Sequence, residues 1–589
     1  MHKDVLLASV ENALMKERRD TKSSPDAGIE HHLVRTGGIL RMSFSFRRIE
    51  DGTMNRIRPT ALLALLCALV IFLSIVGCGG GGGGGFFAPD TDFEGISGPL
   101  DFSSLATPTG GFSSAGWPVP ADTTNFSVTN FTNTSTATLM LANFTAVNQT
   151  IVLSANQEVP TSLRGELRLN ERGFGRTEAS NFHASLRGLE ERQARNPAAA
   201  SSGSFRGSVR AASLPETYTF KVYKNSGEYI PVVGDLYHEQ LLPDNSGKLR
   251  VYRDATIDLT IPGLQGYIDT VIGEWNAIYT QMHALFGTEL RAGEKLTGID
   301  LGSDIYILIS PELSKINTEL AGFFYSGDLY PAERLSSGIT NNVKIFYLNL
   351  RYGDDNALTE TILASTMAHE FQHMIFFSNR IRNSVTADDS WLNETLSAYA
   401  EHACNFKVTN GRNQSKALMM QEYFNRMYDV PLVQNGSDWG SNAQYGQVAL
   451  FGEWLAEKYG TGGDVSTILS SKNTGMAAVE EFTGKPFETV YTQWMTAMYL
   501  DPANNDNPLY KFNELDWISY EFPKLSAVTL SGPIQKNVNR VTSASMLQKS
   551  ITLAPMGCYF IEFAGGGNGK SLDFFMQPNS GVTVFEFGK

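Results

Sequence analysis

The sequence predicts an α+β protein: a mixed sheet with site-bearing helices over residues 216–502, flanked by an N-terminal and a C-terminal β module. Three observations carry this prediction. Apolar residues recur at helical spacing in six segments between residues 264 and 500. Short apolar runs of strand length lie among them, at 251–261, 305–309 and 344–350. At both ends of the chain the apolar runs shorten and alternate, as at 137–141, 527–530, 558–563 and 582–587.

Taken in order, the first 77 residues read as leader rather than fold. Two arginines, Arg56 and Arg58, precede an apolar run that ends at small residues and Cys78. A charged start, an apolar middle and a small-residue end make a secretory signal. A membrane-spanning helix needs about twenty apolar residues, and the run 61–76 falls short of that. Ile75-Val76-Gly77-Cys78 has the form of a bacterial lipobox, in which Cys78 is lipidated and becomes the first mature residue. Gly79 to Gly85 then form a flexible tether. The expected layout is a non-native extension at 1–53, a lipoprotein signal at 54–77 and a lipidated tether at 78–90. This implies a bacterial cell-envelope protein held at the outer membrane or cell surface.

Residues 91–188, rich in Ser, Thr, Asn and Phe, are expected to form a β module, and 189–215, rich in Arg, Ala, Ser and Gly, a linker. From 216 the pattern is mixed. Ile268, Val271, Ile272, Trp275, Ile278 and Met282 share a face of a helix expected over 264–286. Further helices are expected at 358–377, 390–406, 415–428, 443–459 and 484–500, and residues 503–589 form the second β module. The 61 acidic and 47 basic residues give a net charge of -14, which disfavours a nucleic-acid partner, since that would need a basic face. Four cysteines in 589 residues exclude a disulfide-built scaffold. Export would permit a Cys404–Cys558 bridge, and the sequence leaves open whether the two meet.

The informative stretch is His369-Glu370-Phe371-Gln372-His373. Residues four apart on a helix lie one turn above each other, so both imidazoles can hold one small cation, the spacing of a zinc site. Glu370 lies slightly around the helix, placed to accept a proton from a water without being a ligand. A catalytic zinc site takes three protein ligands. A histidine six residues past His373 is excluded, because that position is Asn379. A carboxylate on the next helix is the other source. Glu394, 21 residues after His373, is favoured there, with Glu401 and His402 as competing ligands one to two turns on.

The pair of motifs His369-Glu370-x-x-His373 and Asn393-Glu394-x-x-Ser397 resembles the thermolysin-like metallopeptidases, the gluzincins. HEFQHMI followed by WLNE-x-x-S-x-x-x-E is more closely similar to the hyicolysin family of secreted bacterial neutral metallopeptidases. Gly322-Phe323-Phe324 with Asp328, residues 341–348, Tyr445-Gly446 and residues 451–460 match it too. The resemblance covers about 216–500. It implies a zincin-like core, Zn2+ held by His369, His373 and Glu394, Glu370 as the catalytic base, and protein or peptide substrates. The sequence departs from thermolysin at Ala398, where that enzyme carries an aspartate supporting a zinc histidine, and Glu401 is the nearest replacement. With no histidine after His402, Tyr445 is the expected donor to the developing oxyanion. The Gly-x-Met-x-Asn signature of exopeptidases is absent. The functional expectation is therefore a lipid-anchored zinc endopeptidase. The alternative is a surface-anchored binding module that uses the same scaffold without catalysis.

Overall fold

The computed structural model describes residues 213–515 nearly throughout, apart from 225–226, 354–356, 386–389, 434–439 and 500–506. It also describes a few positions at 182–189 and the strands and adjoining residues within 29–46, 100–155 and 539–588. The leader and tether (54–90) and most of the expected linker (190–212) lie outside the described residues. Among those described, no helix is long and apolar enough to cross a membrane. The chain divides into two units, Met1–Gly85 and Phe86–Lys589. The first contains an antiparallel hairpin of β1 (Ile29–Thr36) and β2 (Ile39–Phe46).

The second unit begins with β3 (Leu100–Asp101), β4 (Ser114–Pro118), β5 (Asn125–Thr129), β6 (Ala137–Asn143) and β7 (Gln149–Ala155). Then come β8 (Thr217–Tyr223), β9 (Tyr229–Leu241) and β10 (Lys248–Asp254). Helices α1 (Leu264–Gly273) and α2 (Trp275–Phe286) follow. The single helix expected over this stretch is two, because the chain breaks at Glu274, which closes α1 and opens α2. Strands β11 (Ile305–Ser310), β12 (Gly322–Phe324) and β13 (Ile345–Asn349) complete a six-stranded sheet of order β12-β13-β11-β10-β9-β8. Strands β10, β11 and β13 run parallel, while β12 and β9 pair antiparallel, so the sheet is mixed, as expected.

Side-chain alternation splits β11 between two cores. Ile305, Ile307 and Ile309 join α1 and α2 in the larger one, and Tyr306 and Leu308 join Phe220, Tyr252 and Tyr347 in the other. Both faces are covered, which is why β11 and β13 read as unbroken apolar runs. Beyond the sheet lie α3 (Glu360–Arg382), α4 (Ser390–Ala403), α5 (Gln414–Arg426) and α6 (Asn442–Tyr459). Short helices α7 (Ser466–Ser470) and α8 (Gly475–Thr483) precede α9 (Phe487–Tyr499). Trp391, Phe451, Phe487 and Trp494 meet ring to ring where α4, α6 and α9 pack. Gly452 lets α6 approach α4 closely, and Gly446 lets it approach α5. A Cβ at Gly446 would stand 2.1 Å from Met419 O, and one at Gly452 would stand 2.7 Å from Thr395 O.

The terminal β modules are not two separate units. Strands β14 (Asn539–Thr542), β15 (Gln548–Leu553), β16 (Cys558–Ala564), β17 (Leu572–Met576) and β18 (Val582–Gly588) interleave with the N-terminal strands. The two resulting sheets have orders β14-β16-β6-β18-β4 and β15-β7-β17-β5-β3. Strand β6 lies between β16 and β18, and β7 between β15 and β17. Alternation identifies a strand but not its partner, and these partners lie some 400 residues apart in sequence. Each edge of β6 and β7 is closed by the far end of the chain, which removes exposed edges from both.

Asn143 ties this junction. Its buried side-chain amide donates to Leu553 O at 3.0 Å and Ala554 O at 3.1 Å, while its backbone pairs with Met556 and Gly557. Asn143→Ala removes one donor from Leu553 O and one from Ala554 O, which keeps Gly557 N, and the two lost bonds are expected to cost ~1–3 kcal/mol in urea unfolding. A loss below a few tenths would show that the amide does not tie the two ends. Cys404 and Cys558 are both buried and free, so they form no bridge.

Candidate metal centre

Helix α3 starts where Thr359 accepts a hydrogen bond from Ile362 N, and it is buried from Leu363 to Ser378 with one break at Thr366. Its burial explains the uncharged flanks of His369 and His373, since charge is rarely buried without a partner. The two rings sit one turn apart, with centroids 4.8 Å apart and planes at 81°. Helix α4 is buried from Ser390 to Glu401 and places Glu394, fully buried, against them.

One oxygen of Glu394 lies 3.3 Å from His369 Nε2 and 3.7 Å from His373 Nε2. Among the described residues, His369, His373 and Glu394 form the one group of three such side chains whose donor atoms all lie within 4.8 Å of one another. Donors about 2 Å from a tetrahedral zinc stand roughly 3.3 Å apart, so the spacing suits that ion. Each ring's other nitrogen is engaged elsewhere. His369 Nδ1 lies 2.8 Å from Glu401 Oε1, and His373 Nδ1 lies 2.9 Å from both Asn393 Oδ1 and Ser397 Oγ. Glu401 and the Asn393 oxygen can only accept, so they hold a proton on Nδ1 and leave Nε2 directed toward Glu394.

The electrostatics favour a cation. Burial pushes the His369 imidazole down, but hydrogen bonds to Glu394 and Glu401 and the charge of Glu370 outweigh it and raise it to about 9. A pocket that holds a proton so firmly is one of strong negative potential, and two imidazoles and a carboxylate are the donor set of a hydrolytic zinc. The residues present therefore fit zinc. Burial pushes the Glu401 carboxyl up, yet the Lys416 ammonium and His369 hold it at about 2.

The remaining sequence candidates fall at different places. Glu370 is buried next to His369 on α3. Glu401 reaches the back of His369 rather than the shared opening, and occupies the supporting place left open by Ala398. His402 turns away from the group, with Nδ1 3.3 Å from Glu453 and Nε2 3.8 Å from Glu514. Tyr445, in the first turns of α6, has its ring 5.8 Å from the Lys416 ammonium, which itself lies 3.0 Å from Glu401. Sequence reasoning missed Lys416 and Asn413, because nothing in residues so far from the two motifs marks them as partners of Glu401. It passed over Asn393 and Ser397 as supports, although both stand within the second motif.

Edge strand β12 runs beside α3, where a Cβ on Gly322 would meet Thr366 at 2.8 Å. The turn after it carries Asp328, fully buried. Asp328 accepts from Asn341 N at 2.6 Å, Asn341 Nδ2 at 3.0 Å and Tyr347 OH at 2.5 Å. Burial outweighs these bonds and pushes the carboxyl up to about 7. The folded state thus holds this proton longer than the unfolded chain does. Its contribution is full below about pH 4 and is lost as pH rises to about 7, on the order of a few kcal/mol. The stability of the native chain relative to Asp328→Asn is expected to fall across that window in urea titrations. A difference independent of pH would refute this account.

No family model matches the chain. A neutral metalloprotease, ShpI, of Staphylococcus hyicus is 28% identical over 99 residues, 16% of this chain and 22% of that protein. The matched part is thus about a fifth of the relative's length. Among solved structures, an M1 zinc metallopeptidase of Deinococcus radiodurans superposes with a TM-score of 0.24 at 14% identity, over 49% of this chain and 57% of that one. An aminopeptidase N family protein of Idiomarina loihiensis gives 0.25 at 11%, over 47% and 49%.

Proposed function

We propose that the chain is a zinc-dependent peptidase of the hyicolysin kind, acting on internal peptide bonds. The observation that carries the reading is the convergence of His369 Nε2, His373 Nε2 and Glu394 in one buried, electronegative group with Glu370 beside it. The match to a neutral metalloprotease supports zinc peptidase chemistry. His369, His373 and Glu394 would hold the ion. When bound, zinc supplies Lewis acidity and lowers the pKa of water to near 7.

The chain's own residues do the rest. Glu401, Asn393 and Ser397 hold the two imidazoles by Nδ1, in the orientation that presents Nε2 to the shared site. Glu370 takes the proton of the attacking water and returns it to the leaving amine. Tyr445 is the proposed donor to the carbonyl oxygen as charge develops there. A complete acid–base set is of no use to a passive binding module, which favours the peptidase over the scaffold reading.

A quenched peptide blocked at both ends tests the reading. Cleavage that chelator abolishes and zinc restores is expected. Cleavage only of peptides with a free N-terminus would overturn the endopeptidase assignment, and activity indifferent to chelator would overturn the zinc. The lipid anchor and envelope location are proposed on the sequence of residues 54–90. Metabolic labelling with a fatty acid, lost in Cys78→Ala, is the expected result.

A further inference from the structure

Three carboxylates, those of Glu370, Glu394 and Glu401, crowd around His369. Glu401 is neither a proposed ligand nor the proposed base, and its charge is balanced from a separate helix. Lys416 sits in the first turn of α5, is 7% exposed, and places its Nζ 3.0 Å from Glu401 Oε1. Asn413 caps the same helix. Its Oδ1 accepts from Lys416 N at 3.2 Å while its Nδ2 donates to Glu401 Oε2 at 2.6 Å. Both oxygens of Glu401 are therefore taken, Oε1 by His369 and Lys416 and Oε2 by Asn413.

We infer that Lys416 is a positioning residue of the metal centre, which holds Glu401 as the anionic acceptor behind His369 and so sets the zinc affinity. The inference rests on the zinc reading above and extends it to α5. A carboxylate behind a ligating histidine fixes the ring and strengthens it as a ligand. It does this only while it stays charged and in place, and inside a protein that requires a partner cation. Lys416 supplies the cation, and the Asn413 cap fixes where the helix presents it. The same ammonium lies 5.8 Å from the ring of Tyr445, so α5 links the support of His369 to the residue proposed to face the substrate carbonyl.

The test is the zinc dissociation constant of the full chain, measured by competition with a chromophoric chelator, with folding checked by circular dichroism. Lys416→Met is expected to weaken zinc binding by about 10–100-fold, and Lys416→Arg, which keeps the charge, to recover most of it. Because Lys416 acts through Glu401, Lys416→Met should have little further effect in a Glu401→Gln background, whereas a merely structural lysine would act equally in both. A folded Lys416→Met chain with native zinc affinity overturns the inference and leaves the zinc reading standing. A native chain that binds no zinc overturns both. If Lys416→Met does not fold, the double variant, which leaves no buried unpaired charge, is compared with Glu401→Gln alone. Equal affinities support the inference, and a further fall overturns it.

Discussion

Glu370→Gln is expected to bind zinc as the native chain does and to hydrolyse peptides about 10²–10⁴-fold more slowly, the range that positioned general bases contribute. The substitution keeps size and shape at a buried position, so packing around α3 is little disturbed. It removes the one property the proposed chemistry needs there, a carboxylate able to accept and return a proton. The ligand set should survive, because the supports of His369 and His373 are Glu401, Asn393 and Ser397 and none of them is touched. The loss should therefore fall on kcat rather than KM, and zinc content measured on the same preparation should stay near one per chain. Hydrolysis within a few-fold of native would remove Glu370 from the mechanism. No hydrolysis in either protein, with zinc bound in both, would favour the binding-module alternative.

The difference between what the sequence disclosed and what it withheld follows from the range of the interactions. The spacing of His369 and His373 is a property of one helix turn, so the sequence shows it directly. Glu394 and Glu401 are seven apart, two turns on one face of α4, so if one reaches the imidazoles the other lies near them. His402, one residue on, is swung about 100° around the helix and meets Glu453 instead. The partners of β6 and β7 are set by tertiary packing, and alternation alone is compatible with any neighbour, which is why an interleaved pair of sheets reads as two modules. The break at Glu274 is hidden for a related reason. Ile268, Ile272 and Trp275 keep their apolar spacing across it, because α1 and α2 bury their faces in the same core. Lys416 carries no local mark, since a lysine near the start of a helix ordinarily faces water.

Glu394→Ala should lose zinc outright. Two imidazoles remain, and a stable protein site for this ion takes at least three protein ligands. The loss of affinity should exceed the about 10–100-fold that removal of a supporting residue costs. Thermal stability reports this independently of catalysis. A ligand bound only by the folded chain stabilises it by about 4 kcal/mol at 1,000 times its dissociation constant. The native chain should therefore melt higher with zinc than with chelator, and the Glu394→Ala chain should melt at the same temperature in both. The variant also leaves a cavity at a fully buried position, so its melting point without metal should be lower than that of the native apo-chain. The two effects separate, because only the first depends on zinc. If Glu394→Ala keeps one tightly bound zinc and its full zinc-dependent shift in melting, the third ligand is another carboxylate. Glu401, 2.8 Å from the far nitrogen of His369, would then have to be re-examined as a ligand rather than a support.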